Sequence, residues 1–272
     1  MGYRGRTILN RNKEGKPVLI SFPRRKPLNV VLFLSIFDKK DLRYVTEKFS
    51  FIIRILSIFR VSNVTWVNDI GIESLTRLIH SLYEYSILPP YLKKELSMRR
   101  ELKYVGLLSP LNLPSHPRKA EPIEGELRFG SKGNFGLEIT SPCRDCEIMI
   151  VDSIKKQGIK YPSYVQYSGP TQKIIDKEDL CPSLSGFVIV GSRNGENPME
   201  CLHQIRRKYD NGGTTLIIGP PKGKIIRIVN DCSNKNDLDV NYYNFVPKQG
   251  VRDVRAEEAL AISLSVLNVI IN

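Results

Sequence analysis

The chain has only three histidines, and no second Cys-x-x-Cys or Cys-x-x-His accompanies the pair Cys143 and Cys146. A structural zinc needs four ligands at matched spacing, so a zinc-stabilised module built on this pair is the weaker reading. The five cysteines (Cys143, Cys146, Cys181, Cys201, Cys232) are an odd number scattered along a chain without an export signal, and are expected to be reduced thiols. The apolar runs Asn29–Phe37 and Phe49–Phe59 are too short or too interrupted by charge to span a bilayer. A soluble, cytoplasmic protein is the expectation.

Catalytic signatures are equally sparse. No G-x-G-x-x-G follows the first apolar run, which argues against a dinucleotide fold. Gly219-Pro-Pro-Lys-Gly-Lys has one residue too few for a phosphate loop, and Ile225 stands where a magnesium-binding Ser or Thr would be needed. No nucleophile elbow is present, and the three isolated histidines fall in no recognisable Ser- or Cys-nucleophile motif. These absences argue against a nucleotide triphosphatase and leave hydrolase chemistry unsupported.

What the chain does have is positive charge, a net +13 over 272 residues. Arg4, Arg6, Arg11, Lys13, Lys16, Arg24, Arg25 and Lys26 face only Glu14 within residues 1–26, so this segment carries over half of the excess. A basic segment ahead of a nearly neutral body reads as an anchor for polyanionic nucleic acid, with Arg4, Arg6, Arg11, Arg24, Arg25 and Lys26 as the contacts, the alternative being a solubilising tail. Tyr3 and Phe22 add stacking surfaces.

Periodicity supplies the fold class. Leu28–Phe37 reads as a strand buried on both faces, Lys39–Arg60 as an amphipathic helix, Val61–Val67 as a strand and Ile72–Ser86 as a helix with His80 packed at the edge of its inward face. Tyr91–Lys103 reads as a further basic helix. This order implies an α/β protein with a parallel sheet. From Glu124 the text changes to short strands (Glu124–Phe129, Phe135–Ile139, Glu147–Val151, Tyr164–Tyr167) punctuated by glycines, which describes a small β-barrel or sandwich. After Thr171 the βα rhythm returns: strand Gly186–Val190 runs into Gly191–Gly195, helix Pro198–Lys208 follows, then strand Thr214–Ile218 runs into Gly219–Gly223. Strand Tyr242–Val246 then runs into Lys248-Gln-Gly and a helix apolar on nearly every side. Three glycine-bearing loops at the carboxyl ends of strands form a ligand cradle in open α/β sheets.

Asn244–Asn268, with its pattern VP-x-QG-x-x-x-VR-x-EEA, resembles the C-terminal motif of the SPOUT class of RNA methyltransferases. It is most similar to the RNA uridine-N3 methyltransferases of archaea and eukaryotes. Met98–Pro117, Ser192-Arg-Asn and Gly219-Pro-Pro-Lys-Gly agree with that family in order and spacing over residues 28–272. The resemblance implies an α/β fold with a C-terminal trefoil knot, S-adenosylmethionine as cofactor, RNA (rRNA or another structured RNA) as substrate and a homodimer formed through the knot. It implies a basic N-terminal tail (1–27), a catalytic domain in two pieces (28–113 and 171–272) and an inserted OB-like barrel (114–170). Mapped residue by residue, Ser192, Gly219, Pro220, Gly223, Val246, Pro247, Gln249, Gly250 and Val254 would hold the cofactor. Arg193, Asn194 and Arg255 would serve the methyl transfer by favouring the deprotonated uridine imide. Where that family carries a small hydroxyl and an acid, this chain has Val251 and Arg252. That departure keeps a second reading open, a catalytically silent knotted RNA-binding or assembly protein.

Overall fold

The computed structural model describes residues 8–11, 17–37, 41–97, 99–117, 121–162, 166–220, 225–235 and 238–272. Eleven strands and six α-helices are present among them: β1 (Ile8–Arg11), β2 (Pro17–Ile20), β3 (Leu28–Phe33), α1 (Leu42–Ile58), β4 (Asn63–Asn68), α2 (Glu73–Ile87), β5 (Leu127–Phe129), β6 (Glu147–Asp152), β7 (Gln157–Lys160), β8 (Thr171–Asp176), α3 (Leu180–Ser183), β9 (Phe187–Glu196), α4 (Leu202–Gly212), β10 (Thr214–Ile217), α5 (Ile225–Lys235), β11 (Asp239–Tyr243) and α6 (Ala256–Ile271). Six strands form a parallel sheet in the order β11-β9-β10-β3-β4-β8. Strands β5, β6 and β7 form a separate antiparallel sheet, and β1 pairs with β2.

The alternation along β3 explains the layering. Leu28, Val30 and Leu32 face one side and join Trp66, Leu216 and Tyr243 in a core covered by α1, α2, α4 and α6. Val31 and Phe33 face the other and join Val190 and Ile217 beneath α3 and α5. Helices on both faces are why the strand is apolar from Val30 to Phe33. Trp66 is fully buried between Phe37 and Phe49, with ring centroids 5.8 and 6.0 Å away. Its indole N–H donates to Gln172 Oε1 at 3.1 Å and ties β4 to the edge strand β8.

Several expectations are corrected. Residues 91–103 make two short 3-10 turns, Lys93–Glu95 and Arg100–Leu102, instead of a helix, because Pro89 and Pro90 leave no continuous helical register to propagate. Phe135–Ile139 lies outside any strand; Phe135 is buried instead, and a Cβ on Gly130 would meet its ring at 2.2 Å. Of the expected strand 164–167, residues 164 and 165 lie outside the described residues, and Gln166 and Tyr167 are buried without strand pairing. His80 is exposed, its Nε2 3.4 Å from Glu84 Oε1 across one helical turn, so it does not pack inward. Four cysteines are paired rather than free: Cys143 with Cys146, and Cys181 of α3 with Cys232 of α5, Cα atoms 4.8 Å apart. Cys201 is unpaired.

Candidate active site

The first glycine loop is an excursion within β9. Val190 pairs with Tyr242 of β11, yet the next β11 residue, Tyr243, pairs with Glu196, so Gly191–Gly195 loop out between consecutive rungs. Gly195 closes the excursion where the backbones meet: a Cβ there would lie 2.6 Å from the carbonyl carbon and oxygen of Tyr242 and from Tyr243 N. No side chain fits that gap. Asn244, directly after β11, fastens the loop from the other side. Its backbone N–H donates to Glu196 O at 2.8 Å, its Nδ2 to Arg193 O at 2.9 Å, and its Oδ1 accepts from Val246 N at 3.0 Å.

The second wall follows β10 at Ile218, and Gly219 packs so closely on Ile225 that a Cβ would come within 2.8 Å. The third follows β11. Gln249 Nε2 donates to Val251 O at 2.9 Å and to Arg252 O at 3.0 Å, folding residues 248–252 into a compact turn. In that turn the left-handed backbone falls on Lys248 (φ 56°), whereas a Cβ on Gly250 would meet nothing within 4 Å. Small residues Ala259 and Ser263, one turn apart on α6, form the floor.

These pieces enclose a cavity of about 240 Å³ at the carboxyl ends of β9, β10 and β11. Of the residues singled out in the sequence, Ser192, Arg193, Val246, Gln249 and Val254 line it. Gly219 and Pro220 follow the lining residue Ile218 in the chain but do not themselves line the cavity, nor do Pro247 and Gly250, which belong to the adjoining turn. Asn194 sits exposed in the β9 excursion, its N–H 3.4 Å from Ser192 Oγ. Arg255 stands exposed at the start of α6, where its backbone N–H donates to Glu258 Oε2 at 2.9 Å. Arg252, not Arg255, is among the residues that line the cavity. Gly223 lies outside the described residues.

Tyr243 was not foreseen. Its side chain is fully buried in the cavity wall, and its hydroxyl has no hydrogen-bond partner among the described residues. Burial pushes its pKa up to about 12, so the hydroxyl stays protonated and able to donate. A hydroxyl buried without a partner is costly to the fold. The only sequence signal was its place beside the glycine-loop motif, in a strand whose aromatics otherwise read as core.

The basic N-terminal segment divides. Arg4 and Arg6 lie outside the described residues, and Arg11 is described only as part of the β1–β2 pairing. Arg24 is held inside the fold: its guanidinium donates to Phe59 O at 2.8 and 3.0 Å and to Asn268 Oδ1 at 2.6 Å, bracing α1 against α6. This bracing was not expected of a residue assigned to a free tail. Arg25 is exposed and Lys26 half-buried. No described helix is long and apolar enough to cross a membrane, and no described group of three His, Cys, Asp or Glu could hold a metal ion.

With this geometry in view, comparison with known proteins gives a consistent picture. Residues 30–131 match the model of a family described as "Putative RNA methyltransferase". An uncharacterised protein of Haloarcula marismortui is 27% identical over 264 residues, covering 85% of this chain and 94% of its own length. The 28S rRNA (uridine-N(3))-methyltransferase of Drosophila melanogaster is 26% identical over 279 residues, covering 79% of this chain and 56% of its own length. Among solved structures, a Legionella pneumophila methyltransferase with bound cofactor SAM aligns at a TM-score of 0.43 and 10% identity, over 92% of this chain and 70% of that one. A likeness that low carries no argument here.

Proposed function

We propose that this chain is an S-adenosylmethionine-dependent methyltransferase acting on a base of structured RNA, with uridine N3 of ribosomal RNA as the favoured acceptor. The observation that supports it is the meeting of three strand-end loops in one cavity around the unpaired Tyr243 hydroxyl. Likeness to the Drosophila rRNA enzyme supports the substrate class. The residues suit the cofactor: Ile218, Val246 and Val254 offer apolar contact for a purine, Ala259 and Ser263 leave room at the floor, and Tyr243 offers a donor. Bound there, S-adenosylmethionine supplies a sulfonium methyl group.

The chain's own part is positioning and charge. Methylation of an imide nitrogen requires the N–H proton to leave, and a guanidinium nearby lowers the cost of the resulting anion. Arg193 lines the cavity with its backbone carbonyl fixed by Asn244, which makes it the first candidate for that role. Asn194 orients the base by hydrogen bonding, and Arg255 acts from the rim. Within the same reading, residues 171–272 carry the trefoil knot and residues 114–170 the OB-type insert, of which β5–β7 are the core. A second copy covers the face where Val269 of α6 (77% exposed) and Ile58 of α1 (56%) remain open. Val251 and Arg252, both exposed, favour the alternative of a silent RNA-binding protein, since neither reproduces the hydroxyl and acid of the resembling family.

Mass spectrometry of nucleosides from RNA of cells with and without this protein tests the proposal. A methylated uridine lost with the protein supports it. Identical nucleoside profiles refute the enzyme reading and leave the silent one.

A further inference from the structure

A cleft of about 990 Å³ separates the β5–β7 sheet from the last turns of α2. Because α2 runs back from the carboxyl end of β4, its last turns lie at the opposite end of the parallel sheet from the loop cavity. Tyr83, near those last turns, donates its hydroxyl to Pro170 O at 2.9 Å, immediately before β8 begins. The cleft is therefore separate from the methyl-transfer site.

Its sheet-side wall holds Phe129 and Glu147, which are directly paired across β5 and β6 and so leave the same face of the sheet. Phe129 is 38% exposed, unusual for a large apolar ring in a strand. Glu147 is only 7% exposed, and its Oε2 has no hydrogen-bond partner among the described residues. Burial also pushes its carboxyl above the ordinary carboxylate range. An isolated buried carboxyl is costly unless something donates to it.

The chemistry of that donor can be narrowed. An ionised carboxylate only accepts. Of the four RNA bases, guanine alone presents two adjacent donors, N1–H and N2–H, on its Watson–Crick edge; the others set an acceptor beside a donor. The exposed ring of Phe129 offers the stacking surface that unpaired bases use, and Lys160 in the cleft suits a phosphate rather than a cationic side chain.

We propose that this cleft binds one unstacked guanine of the RNA strand, with Glu147 accepting from its N1–H and N2–H and Phe129 stacking on the ring. Only the source of the base, RNA, rests on the function proposed above. Glu147 touches no reacting atom and acts as a specificity residue, selecting which RNA is presented to the distant cavity.

The test uses the full chain and short oligouridines carrying one central guanosine, adenosine or cytidine, with binding read by fluorescence anisotropy at fixed salt. The guanosine oligomer should bind about tenfold tighter than the others, the discrimination of one good bidentate pair. Glu147→Gln should erase that preference at unchanged melting temperature, because its amide sets a donor against a donor. Phe129→Leu should weaken all oligomers alike. Equal binding of the three oligomers, or a guanosine preference surviving in Glu147→Gln, overturns the proposal, as does cleft binding of an arginine-rich peptide in place of the guanosine oligomer. Titration with S-adenosylmethionine in the same samples separates the two readings. A Glu147-dependent guanosine preference without cofactor binding would sink the methyltransferase and leave the cleft standing.

Discussion

Replacing Gly195 with alanine is the sharpest probe of how the site is built. The added methyl carbon would sit 2.6 Å from three backbone atoms of Tyr242 and Tyr243, and backbone in a sheet cannot step aside as a side chain can. Overpacking of this kind costs about 1–3 kcal/mol. In a chain of 272 residues each kcal/mol moves the melting temperature by roughly 2–4 °C, so a fall of about 2–12 °C is expected. The strain is relieved most easily by opening the β9 excursion, because Val190 and Glu196 on either side are held in register with β11. Arg193 would move with it, and S-adenosylmethionine affinity should fall at least about tenfold, the equivalent of 1.4 kcal/mol. Gly250→Ala is the control. With nothing within 4 Å and no left-handed backbone requirement, it should stay within about 0.5 kcal/mol of the parent. Thermal melts by circular dichroism and calorimetric titration read both quantities. A Gly195→Ala protein that melts and binds like the parent would refute the excursion geometry.

Other expectations follow from single observations. Tyr243→Phe removes a hydroxyl with no protein partner, so stability should hold or rise while cofactor affinity drops about five- to tenfold; equal affinity would remove Tyr243 from the site. Arg24→Ala leaves the Phe59 carbonyl without its side-chain donor and removes one of two donors to Asn268 Oδ1, and should cost about 1–3 kcal/mol in urea unfolding, without changing the salt slope of RNA binding. Arg25→Ala, at an exposed position, should shallow that slope by a little under one unit at little cost in stability, and the reverse pattern would return Arg24 to the RNA surface. His116 is buried, and burial lowers its pKa from 6.5 to about 4, so the folded state resists the proton that the unfolded chain takes up. Stability should be intact above pH 6.5 and decline by up to about 3 kcal/mol as pH falls toward 4. His116→Phe should flatten that part of the profile, and an unchanged profile would contradict the assignment.

The sequence was most informative where one residue pattern served one purpose. Leu28–Phe33 could be read as a doubly buried strand because helices cover both sheet faces, and α1 and α2 showed their 3.6-residue period because each buries a single face. Strand β8 escaped notice because Thr171, Gln172 and Lys173 give an edge strand a largely polar opening. The three loops were visible as glycine clusters, but the close approach that requires Gly195 depends on β11, about fifty residues later. Distance along the chain also hid the Arg24 bond to Asn268 and the pairing of Cys181 with Cys232. Asn244 opens the C-terminal motif and Tyr243 stands immediately before it, both in plain view. Their roles become apparent only once β11 is seen to lie beside the β9 excursion.

The central claim is that these loops hold a methyl donor. Calorimetric titration of the full chain with S-adenosylmethionine tests it most directly. The account predicts saturable binding of one cofactor per chain, weakened by Gly195→Ala and Tyr243→Phe; absence of binding at millimolar cofactor by a folded protein would contradict it.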